Sequence, residues 1–156
     1  MDATTMGVIS DTHGRLDVAV RETFAGVECI VHAGDVGGTD VLLELAAIAP
    51  LTAVRGNVDV VFGVAELPDE AVLEVGGRRL LVAHVREALL RRHEPAREGF
   101  DIVVTGHTHR YAETWDGGVL YLNPGSAGAR RFDLPRTVAL LELTDDGVVA
   151  QRIALA

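Results

Sequence analysis

Short apolar runs rich in β-branched residues punctuate this chain, and each stops abruptly at a polar cluster. Residues 4–9 end at Ser10-Asp11-Thr12-His13-Gly14, 29–33 at Gly34-Asp35, and 51–54 at Gly56-Asn57. Residues 80–83 end at His84, and 102–105 at Gly106-His107-Thr108-His109. Near-continuous apolarity suits strands buried on both faces of a parallel sheet. Between the first three runs the period lengthens. Leu16, Val20 and Phe24 recur at helical spacing within 15–24, with Asp17 placed to support the first turn. Residues 39–48 follow, with Thr39 as the expected N-cap and Pro50 as the stop. This β-α-β-α-β series predicts right-handed crossovers and a parallel sheet.

The second half is richer in strands. Residues 71–75 and 80–83 form a predicted hairpin around Gly76-Gly77, because two glycines adopt the positive φ angles of a tight turn. Residues 86–98 show a helical, Arg-rich pattern with Pro95 near its end. Strands are expected at 102–105, 111–114 and 119–123, with a turn at Asp116-Gly117-Gly118. A final hairpin joins 137–143 to 148–154 through Asp145-Asp146-Gly147. The expected fold is α/β, a single domain over 1–156 built as a four-layer α/β/β/α sandwich of two mixed sheets.

At 156 residues, 48% of them hydrophobic, the chain has the size of one domain and material for a sizeable core. It lacks a run of about 18 apolar residues and a signal-peptide pattern, so a soluble cytoplasmic protein is expected. Cys29 falls within an apolar strand pattern and reads as a small buried hydrophobe. Fourteen basic against 23 acidic residues give a net charge of −9, which opposes binding to extended nucleic acid or to anionic membranes. Every basic residue is Arg and none is Lys, a bias that carries no functional reading.

The polar clusters carry the candidate chemistry. Asp11, His13, Asp35, Asn57, His84, His107 and His109 supply oxygen or nitrogen donors just beyond predicted strands, where ligands bind in open α/β sheets. Asp11 and His13, like His107 and His109, stand at i and i+2, which places each pair on one side of an extended backbone. Such a set is large enough for two metal ions. With no thiolate in it, Mn²⁺, Fe, Zn²⁺ or Ni²⁺ suit it better than a structural zinc does. The His-x-His-x-Asp-His of metallo-β-lactamases and the His-Glu-x-x-His of zincins are absent.

Taken in order, Asp11-Thr12-His13, Gly34-Asp35, Gly56-Asn57, His84 and Gly106-His107-Thr108-His109 resemble the five blocks of the calcineurin-like metallophosphoesterases. Gly56-Asn57-Val58-Asp59 and Asn123-Pro124-Gly125-Ser126 are similar to motifs of the small bacterial and archaeal phosphodiesterases of that superfamily. The resemblance spans nearly the whole chain. It implies the calcineurin-like phosphoesterase fold and two divalent ions, Mn²⁺ first, with Ni²⁺, Zn²⁺ or Fe as alternatives. By position it implies that Asp11, His13 and His109 hold one ion, that Asn57, His84 and His107 hold the other, and that Asp35 bridges them. Asp35, Asn57 and His107 are then the catalytic residues.

The implied reaction is hydrolysis of a small phosphate ester, first a diester, by in-line attack of a metal-bridging hydroxide. Two divalent ions less the charges of Asp11, Asp35 and hydroxide leave about one positive charge, which draws an anionic ester to an acidic protein. A phosphomonoesterase or nucleotidase would share these ligands. A protein-binding scaffold on the same fold, like the eukaryotic retromer subunit, would have a degraded metal site. Homo-oligomerisation stays open.

Two departures from the family pattern stand out. Val58 occupies a position where much of the superfamily has a histidine, which favours good leaving groups or a proton donor elsewhere. Val85 follows His84 where the family often has Gly, and it bears on the shape of that loop. Elsewhere, His32 reads equally as a packed strand histidine or a support for the site, and His93, beside Arg91, Arg92 and Glu94, as part of a solvated helix face. Arg130, Arg131 and Arg136 are candidates for a phosphate or partner contact or for surface salt bridges. Asn123 is expected to start the Pro124-Gly125 turn.

Overall fold

The computed structural model describes residues 3–61, 66–130 and 133–155. The first half contains β1 (Thr4–Ile9), α1 (Val18–Thr23), β2 (Cys29–His32), α2 (Thr39–Ala46), β3 (Leu51–Ala53) and α3 (Asn57–Val61). The second contains β4 (Glu70–Val75), β5 (Arg78–Ala83), α4 (Arg86–Arg92), β6 (Ile102–Val104), β7 (Tyr111–Asp116), β8 (Val119–Pro124), β9 (Thr137–Thr144) and β10 (Gly147–Ala154).

These strands form two five-stranded mixed sheets, ordered β10-β9-β1-β2-β3 and β4-β5-β6-β8-β7. In the first, β1, β2 and β3 run parallel and β9 pairs antiparallel with β1. In the second, β5, β6 and β8 run parallel between the antiparallel edges β4 and β7. Strand alternation sorts side chains into layers. Met6, Val8, Val31 and Val54 of the first sheet meet Leu80, Val82, Val104 and Leu122 of the second in one buried cluster. On the outer face of the first sheet, Ile9 and Ile30 pack under Val20, Phe24, Val41 and Leu45. On the outer face of the second, Leu81, Val103 and Tyr121 pack under Leu89 of α4. Burying each such aliphatic side chain is worth roughly 1.5–3 kcal/mol, so the four-layer order follows from three apolar interfaces between four layers.

Local chemistry explains where the elements differ from the sequence expectations. α1 starts at Val18 rather than 15, because the Asp17 carboxylate caps it by accepting from the Ala19 N–H at 2.8 Å. α2 has Gly38, not Thr39, at its N-cap and ends at Ala46. α4 stops at Arg92, with His93 already extended at φ −132° and ψ 147°. Pro95 disfavours helical backbone at Glu94 and has no N–H to continue the ladder. The one-turn helix α3 was not expected. Gly76 and Gly77 do close the first hairpin with positive φ of 54° and 75°. Among the described residues no helix is long and apolar enough to cross a membrane.

Candidate metal centre

The chain enters the left-handed region at the candidate ligands. Asp11 (φ 55°), His13 (50°), Asp35 (57°), His107 (74°) and His109 (64°) are five of the six described non-glycine residues with positive φ. The expectation of extended backbone through Asp11–His13 and His107–His109 is therefore corrected: side chains converge because the chain turns sharply at each ligand. Such conformations cost roughly 1–3 kcal/mol each and persist only where the surroundings over-determine them. Here the β1–β2 pairing continues into both loops. The N–H groups of Asp11, His13 and Gly14 donate to the carbonyls of Gly34, Asp35 and Val36 at 2.9, 3.0 and 2.7 Å. Gly106 N–H donates to the His84 carbonyl at 2.9 Å and ties together the two ligand loops of the second sheet.

Each carboxylate has one oxygen anchored and one aimed inward. Asp11 Oδ2 accepts from the Ser10 hydroxyl at 2.6 Å and the His107 N–H at 3.1 Å. Its Oδ1 is buried without a hydrogen-bond partner, 3.3 Å from His109 Nε2, 3.8 Å from His13 Nε2 and 4.0 Å from His84 Nε2. Asp35 Oδ1 accepts from the Val58 N–H at 3.0 Å, while Oδ2 lies 3.2 Å from His84 Nε2 and 3.9 Å from His13 Nε2. His84 Nδ1 donates to the Ala33 carbonyl at 2.8 Å. That leaves Nε2 facing the carboxylates, buried and, although near Asp35, not hydrogen-bonded. An imidazole that gives one ring N–H to a backbone carbonyl and turns the other nitrogen inward is arranged as metal-binding histidines are.

The donor atoms fall into two groups, each within 4.8 Å: Asp11 with His13 and His109, and Asp11 with Asp35 and His84. Asp11 thus reaches both groups, a placement not assigned from the sequence. The His107 ring stands 5.2 Å from that of His84. Asn57 opens α3 and lines, with His84, a cavity of about 530 Å³. Burial opposes the charge on Asp35, yet His84 and the Val58 N–H hold its carboxyl well below the usual range. Burial likewise opposes charge on His84, and Asp35 and Asp11 overcome it, so its pKa lies above the ordinary 6.5. A buried polar atom without a partner costs roughly 1–3 kcal/mol, more when charged. Divalent cations would satisfy Asp11 Oδ1 and His84 Nε2 at once, so the residues present fit such ions.

Two glycines explain why these blocks have their spacing. A Cβ on Gly56 would overlap the Asp35 backbone nitrogen and carboxylate, and one on Gly106 would meet the Ser10 hydroxyl and stand 2.7 Å from Asp11 Oδ2. Other side chains clamp the loops from behind. Asp59, 3% exposed, accepts from the Gly37 N–H at 3.0 Å and the Gly56 N–H at 2.8 Å, joining the Asp35 loop to the Asn57 loop. His32 is fully buried; its Nδ1 accepts from Gly34 N–H at 3.1 Å, and its Nε2 contacts the Thr12 hydroxyl at 3.0 Å. Burial lowers its pKa to about 4, so it stays neutral in this role. It is both the packed strand histidine and a support. Asn123 does start the turn, accepting from Gly125 N–H at 2.9 Å, but also donates to the Gly106 carbonyl at 2.9 Å and the Thr108 hydroxyl at 3.1 Å.

Ser10 and Asp59 were the supports missed as site residues, although Ser10 adjoins Asp11 and Asp59 closes Gly-Asn-x-Asp. Val85 needs no glycine, since its backbone is extended at φ −114° and ψ 119°. His93 is not a solvated helix residue: it caps α4 and bonds Glu98 and Glu70 at 2.8 and 2.9 Å. Arg136 takes the salt-bridge role, pairing with Asp17 and donating to the Gly128 carbonyl at 2.8 Å. Arg130 is exposed, and Arg131 lies outside the described residues.

Comparison with known proteins places this geometry. The family model of the calcineurin-like phosphoesterase superfamily domain matches residues 5–146. A protein named as a probable metallophosphoesterase of Methanothermobacter thermautotrophicus is 33% identical over 145 residues, covering 86% of this chain and 84% of its own. Among solved structures, an archaeal phosphodiesterase superposes with a TM-score of 0.75 at 23% identity, over 97% of this chain and 99% of that one. Vacuolar protein sorting 29 of Cryptosporidium parvum superposes with a TM-score of 0.76 at 21% identity, over 99% and 98%. The structural likenesses share the fold. The family match across nearly the full length, together with a relative one-third identical, makes the assignment: the chain belongs to the calcineurin-like phosphoesterase superfamily, a family of metal-dependent phosphoric ester hydrolases.

Proposed function

We propose that this protein is a phosphodiesterase that works with two divalent metal ions, Mn²⁺ being the first candidate. One observation carries the reading: Asp11 Oδ1 and His84 Nε2, both buried and without hydrogen-bond partners, face one another across 4.0 Å. Asp11, His13 and His109 would hold one ion, Asn57, His84 and His107 the other, with Asp35 between them. When bound, the ions supply an acidified water for in-line attack and positive charge for the phosphate oxygens.

The chain's own residues prepare that chemistry. Ser10 and the His107 N–H orient Asp11, and the Val58 N–H orients Asp35. The Ala33 carbonyl selects the His84 tautomer whose Nε2 faces inward. Val58 brings no proton donor beside Asn57, so leaving groups that depart unprotonated suit the site. A phosphomonoesterase would need the same ligands and differ in pocket shape. All seven donor positions are present here, which favours a catalyst over a scaffold with a degraded site.

Metal titration followed by elemental analysis should find two Mn²⁺ per chain, and the loaded protein should cleave an aryl phosphodiester faster than the matching monoester. Faster monoester cleavage would reassign it as a phosphomonoesterase. Failure to retain any metal would revive the scaffold.

A further inference from the structure

The two cavities that adjoin the centre differ in how their cations are paired. His84 lines the cavity of about 530 Å³, His107 lines another of about 210 Å³, and the two rings are neighbours at 5.2 Å. A phosphate at these rings therefore has two cavities within reach of its substituents. In the larger cavity the cations are neutralised. Arg55 forks onto Asp69 with Nε and Nη2 at 3.0 and 2.6 Å, and Arg92 Nε binds Glu70 at 3.0 Å.

The smaller cavity holds Arg86, whose Cζ lies 4.5 Å above the Tyr121 ring centre and whose Nη1 reaches the Thr114 hydroxyl at 3.4 Å. Among the described residues no carboxylate forms an ion pair with it, although the exposed Glu87 lines the same space. Stacking on an aromatic face leaves the guanidinium edge, with its fork of donors, directed to whatever enters beside it. Asn123 and Thr108 add polar groups to the same wall, while Tyr121 supplies a flat one. In a chain of net charge −9, a guanidinium that no described carboxylate pairs with, next to a phosphate site, is a selective feature.

Building on the phosphodiesterase reading, we propose that Arg86 is a specificity determinant, and that the preferred substrate is a phosphodiester with a second anionic group, phosphate or carboxylate, on the substituent in the smaller cavity. Arg86 meets that group with a charge-assisted pair of hydrogen bonds, while the larger cavity takes an uncharged substituent.

The test uses three aryl diesters that differ in one substituent, which is neutral, carboxylate-bearing or phosphate-bearing. Values of kcat/KM are measured with the Mn²⁺-loaded wild type, Arg86→Gln, Arg86→Lys and Arg86→Glu. The wild type should favour an anionic diester by roughly 10–100-fold, the range that hydrogen bonds to charged groups supply. That ratio should collapse in Arg86→Gln, survive in part in Arg86→Lys and invert in Arg86→Glu. The better of the two anionic arms names the group. Turnover with no anionic preference, or a preference unchanged in Arg86→Gln, overturns the role of Arg86 and leaves the phosphodiesterase standing. No turnover of any diester by the wild type overturns both.

Discussion

Two clusters in this molecule combine imidazoles with carboxylates, and they are built on opposite principles. At the end of α4, His93 sits between Glu98 and Glu70, with both ring nitrogens bonded, Arg92 also on Glu70, and Phe100 edge-on at 6.4 Å. Its backbone is ordinary extended chain, and its carboxylate partners are only partly buried. At the strand ends, Asp11, Asp35 and His84 are buried, two of their polar atoms lack partners, and the flanking ligands hold left-handed backbone. The same residue types satisfy one another in the first cluster, whereas in the second Asp11 Oδ1 and His84 Nε2 have no hydrogen-bond partner among the described residues. A surface cluster of this kind adds little stability, because solvent screens it. A buried, strained cluster persists only through the loops that clamp it, and its unpaired donors fit divalent cations.

The contrast is tested most severely at Asp35. Asp35→Asn keeps the volume and removes the charge shared between His13 and His84, so turnover at saturating metal should fall at least about 10²–10³-fold with a smaller change in melting temperature. Wild-type rates in that variant would mean the centre is organised around another group. The next effect is at Asp59, which touches no candidate metal-binding atom. Asp59→Ala strands two backbone N–H groups, at Gly37 and Gly56, and should cost on the order of 3 kcal/mol of stability. Metal affinity should also weaken by roughly 10–100-fold, as expected when a support behind a ligand is lost. Calorimetric titration with Mn²⁺ at a temperature where the variant is folded checks this. An unchanged affinity would make Asp59 a fold residue only.

The smallest effect belongs to His93. Glu98 and Glu70 hold its pKa above the ordinary 6.5, so its contribution is complete below pH 6.5 and is lost as pH rises through the folded value. Glu70 is held below its ordinary 4.5 against partial burial, chiefly by His93 and Arg92, and Glu98 by His93 and the Glu94 N–H. Their contributions are present above pH 4.5 and are lost as pH falls through their folded values. His93→Gln should therefore lower the melting temperature by a few degrees at most, most clearly between pH 4.5 and 6.5, with turnover unaffected. Melting curves across pH settle it: a deficit that grows at alkaline pH would contradict the pairing.

Much of this architecture was written locally. Every apolar run that ended in a candidate ligand became a strand, because continuous Val, Ile and Leu can be buried only between two covered faces. Gly76-Gly77 and Gly117-Gly118 closed their hairpins through positive φ that glycine alone adopts freely. α3 was hidden because its five residues, Asn57 included, carry too short a pattern to show a helical period. The polar supports were hidden for a different reason: their partners are distant in the chain. Asp59 joins Gly37, Asn123 joins Gly106, and His32 contacts Thr12, and no spacing rule connects such positions.

Composition and order along the chain set the inventory: which donors exist, that they follow strands, and that thiolates are not among them. Folding set their relations. Asp11 faces both donor groups because the Ser10 hydroxyl and the His107 N–H fix its other oxygen, and the glycines at 56 and 106 let neighbouring loops approach the carboxylates. A hydrogen bond or a close approach is a property of two chain segments at once, so it takes the packed sheets to define it.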